Sequence, residues 1–376
     1  MRLTRTLKVD DAHEDAVWCC AWAPSKDGGG SSGSSSTSEL VTGSVDETVK
    51  VWSIDRSGAA TSAAAEGGGE EPSPSSTSVE PLRSLPGHTL GAVSVAVDAS
   101  GTFAASSSLD SFVRVWHLGD SVTKAVIETP PGETWQIAFP PSSPSDASGS
   151  SPQLIAAAGG ASNKVVIWSA DTAEKVAEMA LPEPAARGGG GGGANGAATS
   201  SSGPSPSSSK DKFALSVAYS PDGKRLACGS MDGGVALFDV ASGKFLASLP
   251  GHHRPVRSVA FSADSTKVLT GCDDMHSHVY DAASGALVAA LGGHASWVTA
   301  VAPHPGGTFA ATASSDSTVK LWDLRAVSGG STAAAAGPLQ TVREHSDQVW
   351  GVAWSGDGSK LASVSDDRSV CVYAAG

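Results

Sequence analysis

The sequence predicts an all-β chain folded as a seven-bladed propeller, and three observations carry that prediction. One offset recurs along the chain: His88 to Asp110, His252 to Asp274, His294 to Asp316 and His345 to Asp367 are each 22 residues apart. The residue six beyond each of these Asp is aromatic, namely Trp116, Tyr280, Trp322 and Tyr373. Between the marks run short alternating apolar segments broken by turn residues, the outline of a four-stranded blade opened by Gly-His and closed by Trp-Asp. Finally, seven inner strands can be read, at 17–22, 93–97, 135–139, 215–219, 256–261, 298–302 and 349–354. Phe238, Tyr280 and Trp322 fall 42 residues apart, a normal blade length, so blades four to six are the undisturbed ones.

The two ends of the chain belong together. Residues 3–7 alternate apolar and polar like an edge strand, whereas the last blade stops after a third strand at 370–373. A ring in which the amino-terminal strand completes the final blade follows, and it ties down both termini. All 376 residues then form one propeller. Blades other than four to six are lengthened by inserts at 26–38, 56–79, 141–152, 184–210 and 326–338, all dominated by Gly, Ser, Ala and Pro. Such composition cannot bury apolar surface, so disordered loops are expected. Four of the five inserts join the first to the second, or the third to the fourth, strand of a blade, which places them on one face. Only 184–210 interrupts the opposite, Gly-His face, which is therefore the better candidate for binding.

Composition narrows the function classes. The net charge of −13, from 38 acidic and 25 basic residues without a Lys/Arg cluster, disfavours direct nucleic-acid binding. The five cysteines include no CxxC and mostly fall in predicted strands, as buried reduced thiols do in a cytosolic or nuclear protein. The amino terminus has no long apolar run and no small-residue cleavage site, so neither a secretory signal nor a membrane span is expected.

The repeated His, Asp and Ser or Thr have a structural reading. A His in the loop entering the inner strand donates to an Asp in the turn between the second and third strands. That pairing orients it toward a strand hydroxyl and the Trp indole N–H, so each buried polar group has a partner. In blade six the spacing marks His294, Ser314, Asp316 and Trp322. The network residues are His13, Asp46, His88, Asp110, Asp232, His252, Asp274, His294, Asp316, His345 and Asp367. A hydrolase triad uses the same residue types, but it occurs once per site, and this set repeats around the chain. No catalytic residue is assigned, and no small-molecule substrate is expected. Blade three departs from the pattern, with Ser162 in place of the Asp and no His, and blade four has Asp232 and Ser230 but no His. Those two blades lean on apolar packing through Trp168 and Phe238.

No cofactor is expected. The glycine run at 188–193 lacks a following Gly-Lys-Ser/Thr and a strand-to-helix context, so it is no phosphate cradle. The run Asp273-Asp274-Met275-His276-Ser277-His278 offers metal-ligand types. Asp274 is committed to its network, however, and the two His lie on one side of a strand. No closed ligand set results, and no metal is assigned.

The ten tryptophans can be sorted. Trp52, Trp116, Trp168 and Trp322 hold the third-strand position, and Trp22 and Trp354 face the blade interior. The remaining four, Trp18, Trp135, Trp297 and Trp350, fall at or just before the start of an inner strand, beside the central channel on the Gly-His face. Because Val17 and Val349 point into the blade packing, Trp18 and Trp350 point the other way. Phe213, Leu215 and Arg257 occupy comparable places in blades four and five. Together these seven residues form an aromatic belt with an Arg, the composition of a partner-binding hot spot.

The segments HEDAVWCCAW, LPGHTLGAVSV, AASSSLDSFVRVWHL, SVAYSPDGKRLACGSMDG, GGHASWVTAV and HSDQVWGVAWSGDGSKLASVSDD carry a more specific signal. They closely resemble the family of WD-repeat subunits of the Ski (superkiller) complex, which in animals and plants also serves the polymerase-associated factor transcription complex. The likeness covers essentially every blade and leaves out mainly the inserts. It implies a non-catalytic scaffold that docks peptide segments of a large tetratricopeptide-repeat subunit and supports an RNA helicase feeding the exosome in mRNA decay. In the nucleus it implies support of transcription elongation and of coupling to histone modification, so both cytoplasmic and nuclear locations are expected. Another WD-repeat adaptor, such as a ubiquitin-ligase substrate receptor or a histone-tail reader, would use the same fold. A histone reader wants an acidic channel mouth, whereas this belt reads as aromatic. An enzyme would need a titratable constellation outside the blade networks, and the sequence offers none.

Overall fold

The computed structural model describes residues 1–24, 38–54, 81–130, 134–141, 153–159, 163–182, 213–327 and 337–376. The described residues form seven four-stranded antiparallel sheets. The inner strands are Val17–Trp22, Ala92–Val97, Thr134–Ala138, Ala214–Tyr219, Val256–Phe261, Val298–Pro303 and Val349–Trp354. Each opens one blade, and the chain then steps outward strand by strand, except in the last blade.

That blade is closed by the first strand. Leu3–Val9 pairs antiparallel with Val370–Ala375, from Leu3 opposite Ala375 to Val9 opposite Val370. The Gln340 side chain clasps it from blade six, accepting from the Leu3 N–H and donating to the Leu3 carbonyl, each at 2.8 Å. Leu3 and Val9 are both buried, Leu3 between blades six and seven and Val9 between blades seven and one. Closure thus joins two interblade cores and covers the edge that the last blade would otherwise present.

The apolar core is divided in the same way around the ring. Each of its clusters is built from two neighbouring blades, as where Val235 and Leu249 of blade four meet Val256 and Phe261 of blade five. Trp22 and Trp354 cross these seams, donating their indole N–H to the carbonyls of Ala353 and Ala302, both at 3.0 Å.

The inserts expected to be disordered lie outside the described residues except at their ends, and 326–338 falls between the third and fourth strands of blade six, which therefore carries an insert where its spacing suggested none. At those ends, Ser38 already begins a strand, Ser38–Ser44, and residues 326 and 327 finish a 3-10 turn, Leu324–Val327. Ser162, the residue that replaces the network Asp of blade three, also lies outside them.

Candidate functional site

The blade networks are built on the His–Asp pairs. In blade six His294 Nδ1 lies 2.9 Å from Asp316, and its Nε2 lies 2.8 Å from the hydroxyl of Thr312, to which the Trp322 indole donates at 2.9 Å. The hydroxyl is therefore that of Thr312, four residues before the Asp, and not that of Ser314. Ser314 turns the other way, accepting from the Asp316 N–H at 3.1 Å and donating to the Ser296 carbonyl. Both residues share a strand face, and only the one farther from the turn reaches the indole. Because the Asp316 carboxylate can only accept, Nδ1–H donates to it, and the Thr312 hydroxyl donates to the His294 Nε2 lone pair while its oxygen accepts from the indole. Blade one repeats this through His13, Thr42, Asp46 and Trp52.

The other blades vary the theme. In blade two His88 meets Asp110 at 2.9 Å and Ser106 at 2.6 Å, while the buried Trp116 indole N–H has no partner among the described residues. In blade seven His345 meets Asp367 at 3.1 Å and Ser363 at 2.7 Å, and the Tyr373 hydroxyl lies 3.2 Å from Ser363. In blade five His252 meets Asp274 at 2.6 Å and Thr270 at 2.8 Å. Asp232 of blade four accepts from the Ser230 hydroxyl and from the Gly234 N–H.

These pairs show displaced titration with structural causes. Burial pushes the His13, His88 and His294 imidazoles down, against the pull of their Asp partners, and Lys50, Arg114 and Lys320 push the same way. Burial also disfavours the charged carboxylates of Asp46, Asp316 and Asp367. Hydrogen bonds from the His and from Thr48, Thr318 and Ser369 outweigh it and hold them well below the usual range.

The candidate binding site is the mouth of the central channel, and a repeated backbone irregularity builds it. In every blade the pairing of the inner strand skips its second residue, leaving Trp18, Val93, Trp135, Leu215, Arg257, Thr299 and Trp350 out of the ladder. A β-bulge re-aims the side chain of the unpaired residue, and here seven bulges direct seven side chains at one cavity of about 430 Å³. Of the belt residues named from sequence, Trp18, Trp135, Leu215, Arg257 and Trp350 line it. Val93 and Thr299 hold the corresponding positions in blades two and six and were not singled out.

Phe213 and Trp297 are one residue out of register. They precede the first strand residue, where blades one and two have Ala16 and Gly91, and their carbonyls accept from Met231 and Ser315. The structure does not bring Phe213 to the cavity. Trp297 is 43% exposed and reaches its rim only by lying over the Arg257 guanidinium, 4.9 Å from ring centre to Cζ.

Arg257 is held rather than free. It pairs in bidentate fashion with Asp273, Nη2 to Oδ2 at 2.9 Å, and also lies 5.9 Å from the Trp350 ring centre. Its charge is neutralised and its faces are covered, so it stiffens the rim. Across the mouth, Trp18 and Trp350 pack with centroids 6.2 Å apart, and the Trp18 indole donates to Asp366 at 3.3 Å. Burial raises the Asp366 carboxyl above its usual range; the Trp350 and Trp18 indoles oppose this, and Asp347 and Asp15 reinforce it. Trp350 Nε1 itself lies outside hydrogen-bond geometry. A carboxylate thus stands beside the aromatic rings, although no acidic side chain lines the cavity itself. Asp366 carried no signal of its own, being merely the residue before a network Asp.

With this geometry in view, the comparisons with known proteins define the class. The family profile "WD domain, G-beta repeat" matches residues 2–53, 79–117, 207–239, 243–281, 285–323 and 336–374. The chain belongs to the WD-repeat family, whose propellers typically serve as non-catalytic scaffolds that bind protein partners. The matched ranges leave out 118–206, which contains blade three. The chain is 38% identical over 258 residues to WD repeat-containing protein VIP3 of Arabidopsis thaliana, covering 69% of this chain and 64% of that one. It is 30% identical over 396 aligned positions to WD repeat-containing protein SL1-17 of Schistosoma mansoni, covering 96% of each. A shorter match, 39% over 71 residues, reaches 7% of human Coronin-7.

Proposed function

We propose that this chain is a non-catalytic scaffold of the Ski type, and that its channel mouth on the Gly-His face grips an extended segment of a larger protein subunit. The observation that carries the proposal is the set of seven bulges aimed at one cavity, with three half-buried indoles, Trp18, Trp135 and Trp350, among its walls. Apolar rings held at the surface by backbone geometry, beside a fixed Arg257, form an anchor pocket for an apolar or aromatic side chain. The His–Asp pairs shape the blades, each bonded to a strand hydroxyl of its own blade. Together with the resemblance in blade motifs, this supports a tetratricopeptide-repeat subunit and an RNA helicase of a Ski-type complex as cytoplasmic partners in exosome-linked mRNA decay. Polymerase-associated factor subunits, acting in elongation and histone modification, are the nuclear counterparts. Affinity purification from both compartments, with wild type and Trp350→Ala in parallel, tests this by mass spectrometry. The tetratricopeptide-repeat subunit should be recovered with wild type and lost with the variant; its absence from the wild-type eluate, alongside other abundant partners, overturns the assignment.

One observation favours a second reading, a histone-tail reader or another adaptor for basic segments. Asp366 stands beside two indoles with its charge met by no cation among the described residues, and Asp15 and Asp347 lie close enough to act on it. A Lys or Arg side chain placed there gains both a carboxylate and ring faces. Asp366→Asn should weaken binding of a basic peptide at least tenfold and leave that of a neutral apolar peptide unchanged; equal effects on both would remove this reading.

A further inference from the structure

Blade five breaks the repeat at several positions, and the changes converge on one spot. Two residues before the network Asp, blades one, two, four, six and seven carry Ser44, Ser108, Ser230, Ser314 and Ser365, whereas blade five carries Cys272. Two residues after it, Thr48, Thr318 and Ser369 cap the carboxylate in blades one, six and seven, whereas blade five carries His276. We propose that His252, Cys272, Asp274 and His276 form a binding site for a divalent cation of the zinc class.

The geometry supplies a mixed N, S and O donor set. A His252 ring nitrogen, Cys272 Sγ and an Asp274 carboxylate oxygen all lie within 4.8 Å of one another, and His276 Nδ1 is 3.8 Å from Asp274 Oδ1. A tetrahedral zinc site with bonds of about 2.0–2.3 Å holds its donors roughly 3.3–3.8 Å apart, so the first three donors need shift by only about an ångström, and His276 turns in as the fourth. Three of the donors come from one tight turn, in a Cys-x-Asp-x-His pattern with Met275 at φ 71°, and the fourth comes from the loop entering the blade. The ion has a way in: His252 and Cys272 form a buried wall, while the His276 side chain is 48% exposed and must give up its 2.8 Å hydrogen bond from Nδ1 to the Asp274 carbonyl to turn inward.

A further change in the same blade frees the imidazole. In blades one and six the Trp indole donates to the Thr, whose own hydroxyl meets the His Nε2, while the His proton on Nδ1 faces the Asp. Blade five has Tyr280 instead, and its hydroxyl donates to the Pro250 carbonyl at 2.8 Å, away from Thr270. Thr270 Oγ1 accepts from the His278 N–H at 3.3 Å, and its second acceptor site can take His252 Nε2–H, at 2.8 Å, while its own hydroxyl points to the His278 carbonyl at 3.4 Å. The Nδ1 lone pair then becomes available, with Thr270 as the outer partner that orients the ring. On binding, the imidazole proton moves from Nδ1 to Nε2 and the Cys272 thiol proton leaves to solvent, one proton per ion. Because the thiol proton is released as the metal binds, affinity rises with pH.

The sister blades supply the control variants. Cys272→Ser and His276→Thr install the residues found at the same positions in blade six, so the network and the fold should survive both. Metal-stripped full-length protein is titrated with Cd²⁺, read by the thiolate-to-metal charge-transfer band, and with Zn²⁺, read by calorimetry and melting temperature. One equivalent should bind wild type, release one proton and raise the melting temperature. Cys272→Ser should abolish the band, and each variant should bind at least about tenfold more weakly. A folded wild type with no band and no thermal shift, or a Cys272→Ser protein that binds as wild type does, overturns the proposal.

Discussion

Replacing Thr312 by Val removes one hydroxyl from the interior of blade six while keeping the shape of the side chain. Thr312 is fully buried and serves two groups, accepting from the Trp322 indole at 2.9 Å and meeting His294 Nε2 at 2.8 Å. The substitution leaves both without a partner, and each unmet buried group costs about 1–3 kcal/mol, so the expected loss is about 2–6 kcal/mol. The corresponding change in blade two is Ser106→Ala. There, among the described residues, the hydroxyl serves His88 Nε2 and the Trp116 indole is already unpartnered, so the expected loss is about 1–3 kcal/mol. Equilibrium urea unfolding of the two variants and wild type gives the comparison directly. Equal losses, or a larger loss for Ser106→Ala, would refute the assignment of the hydroxyl as the hub of the network.

Two further outcomes are expected. Removing residues 1–9 takes away the strand that pairs with Val370–Ala375, together with buried Leu3 and Val9. Unfolding free energy should fall by roughly 2–4 kcal/mol once the ordering entropy of the strand is offset; an unchanged melting temperature would contradict closure. Stability should also fall on both sides of neutrality. His13, His88 and His294 have depressed folded pKa values, so their contribution is present above the ordinary 6.5 and is lost as the pH falls below it. The depressed carboxyls of Asp46, Asp316 and Asp367 act in the same direction, below their ordinary 3.8. His345 runs the other way. Burial would lower it, but Asp367 and Cys371 raise it to about 9, and no Lys or Arg stands where Lys50, Arg114 and Lys320 do in sister blades. Its contribution is full below 6.5 and is lost as the pH rises through about 9. A melting temperature flat from pH 7 to pH 4 would contradict this account.

The blade count, the seven inner strands and the closing strand were legible because each rests on periodicity or spacing, which local sequence expresses directly. The His–Asp partners were legible for the same reason. The hydroxyl was not, since Thr312 and Ser314 share a strand face and only their depth separates them. Register explains the channel mouth as well. Alternation placed Trp18 and Trp350 correctly but grouped Trp297 and Phe213 with them, because a bulge is invisible in a one-dimensional pattern. Asp273 and Asp366 stand at the same place in different blades. One neutralises Arg257 and the other sits beside two indoles, a difference set wholly by what the neighbouring inner strand presents. In sequence 273–278 offers no closed ligand set, and the fold brings His252 and Cys272 within 4.8 Å of Asp274.

The central claim is that partner segments are gripped at the channel mouth, and affinity measured at that mouth tests it most directly. Trp18→Ala, Trp135→Ala and Trp350→Ala each remove a half-buried ring that lines the cavity, so all three should fold. Binding of the tetratricopeptide-repeat partner, followed by calorimetry on proteins of verified melting temperature, should weaken by about 2–4 kcal/mol per ring, roughly 30- to 1000-fold. Unchanged affinity in all three folded variants would contradict the account and move the contact to another face of the ring.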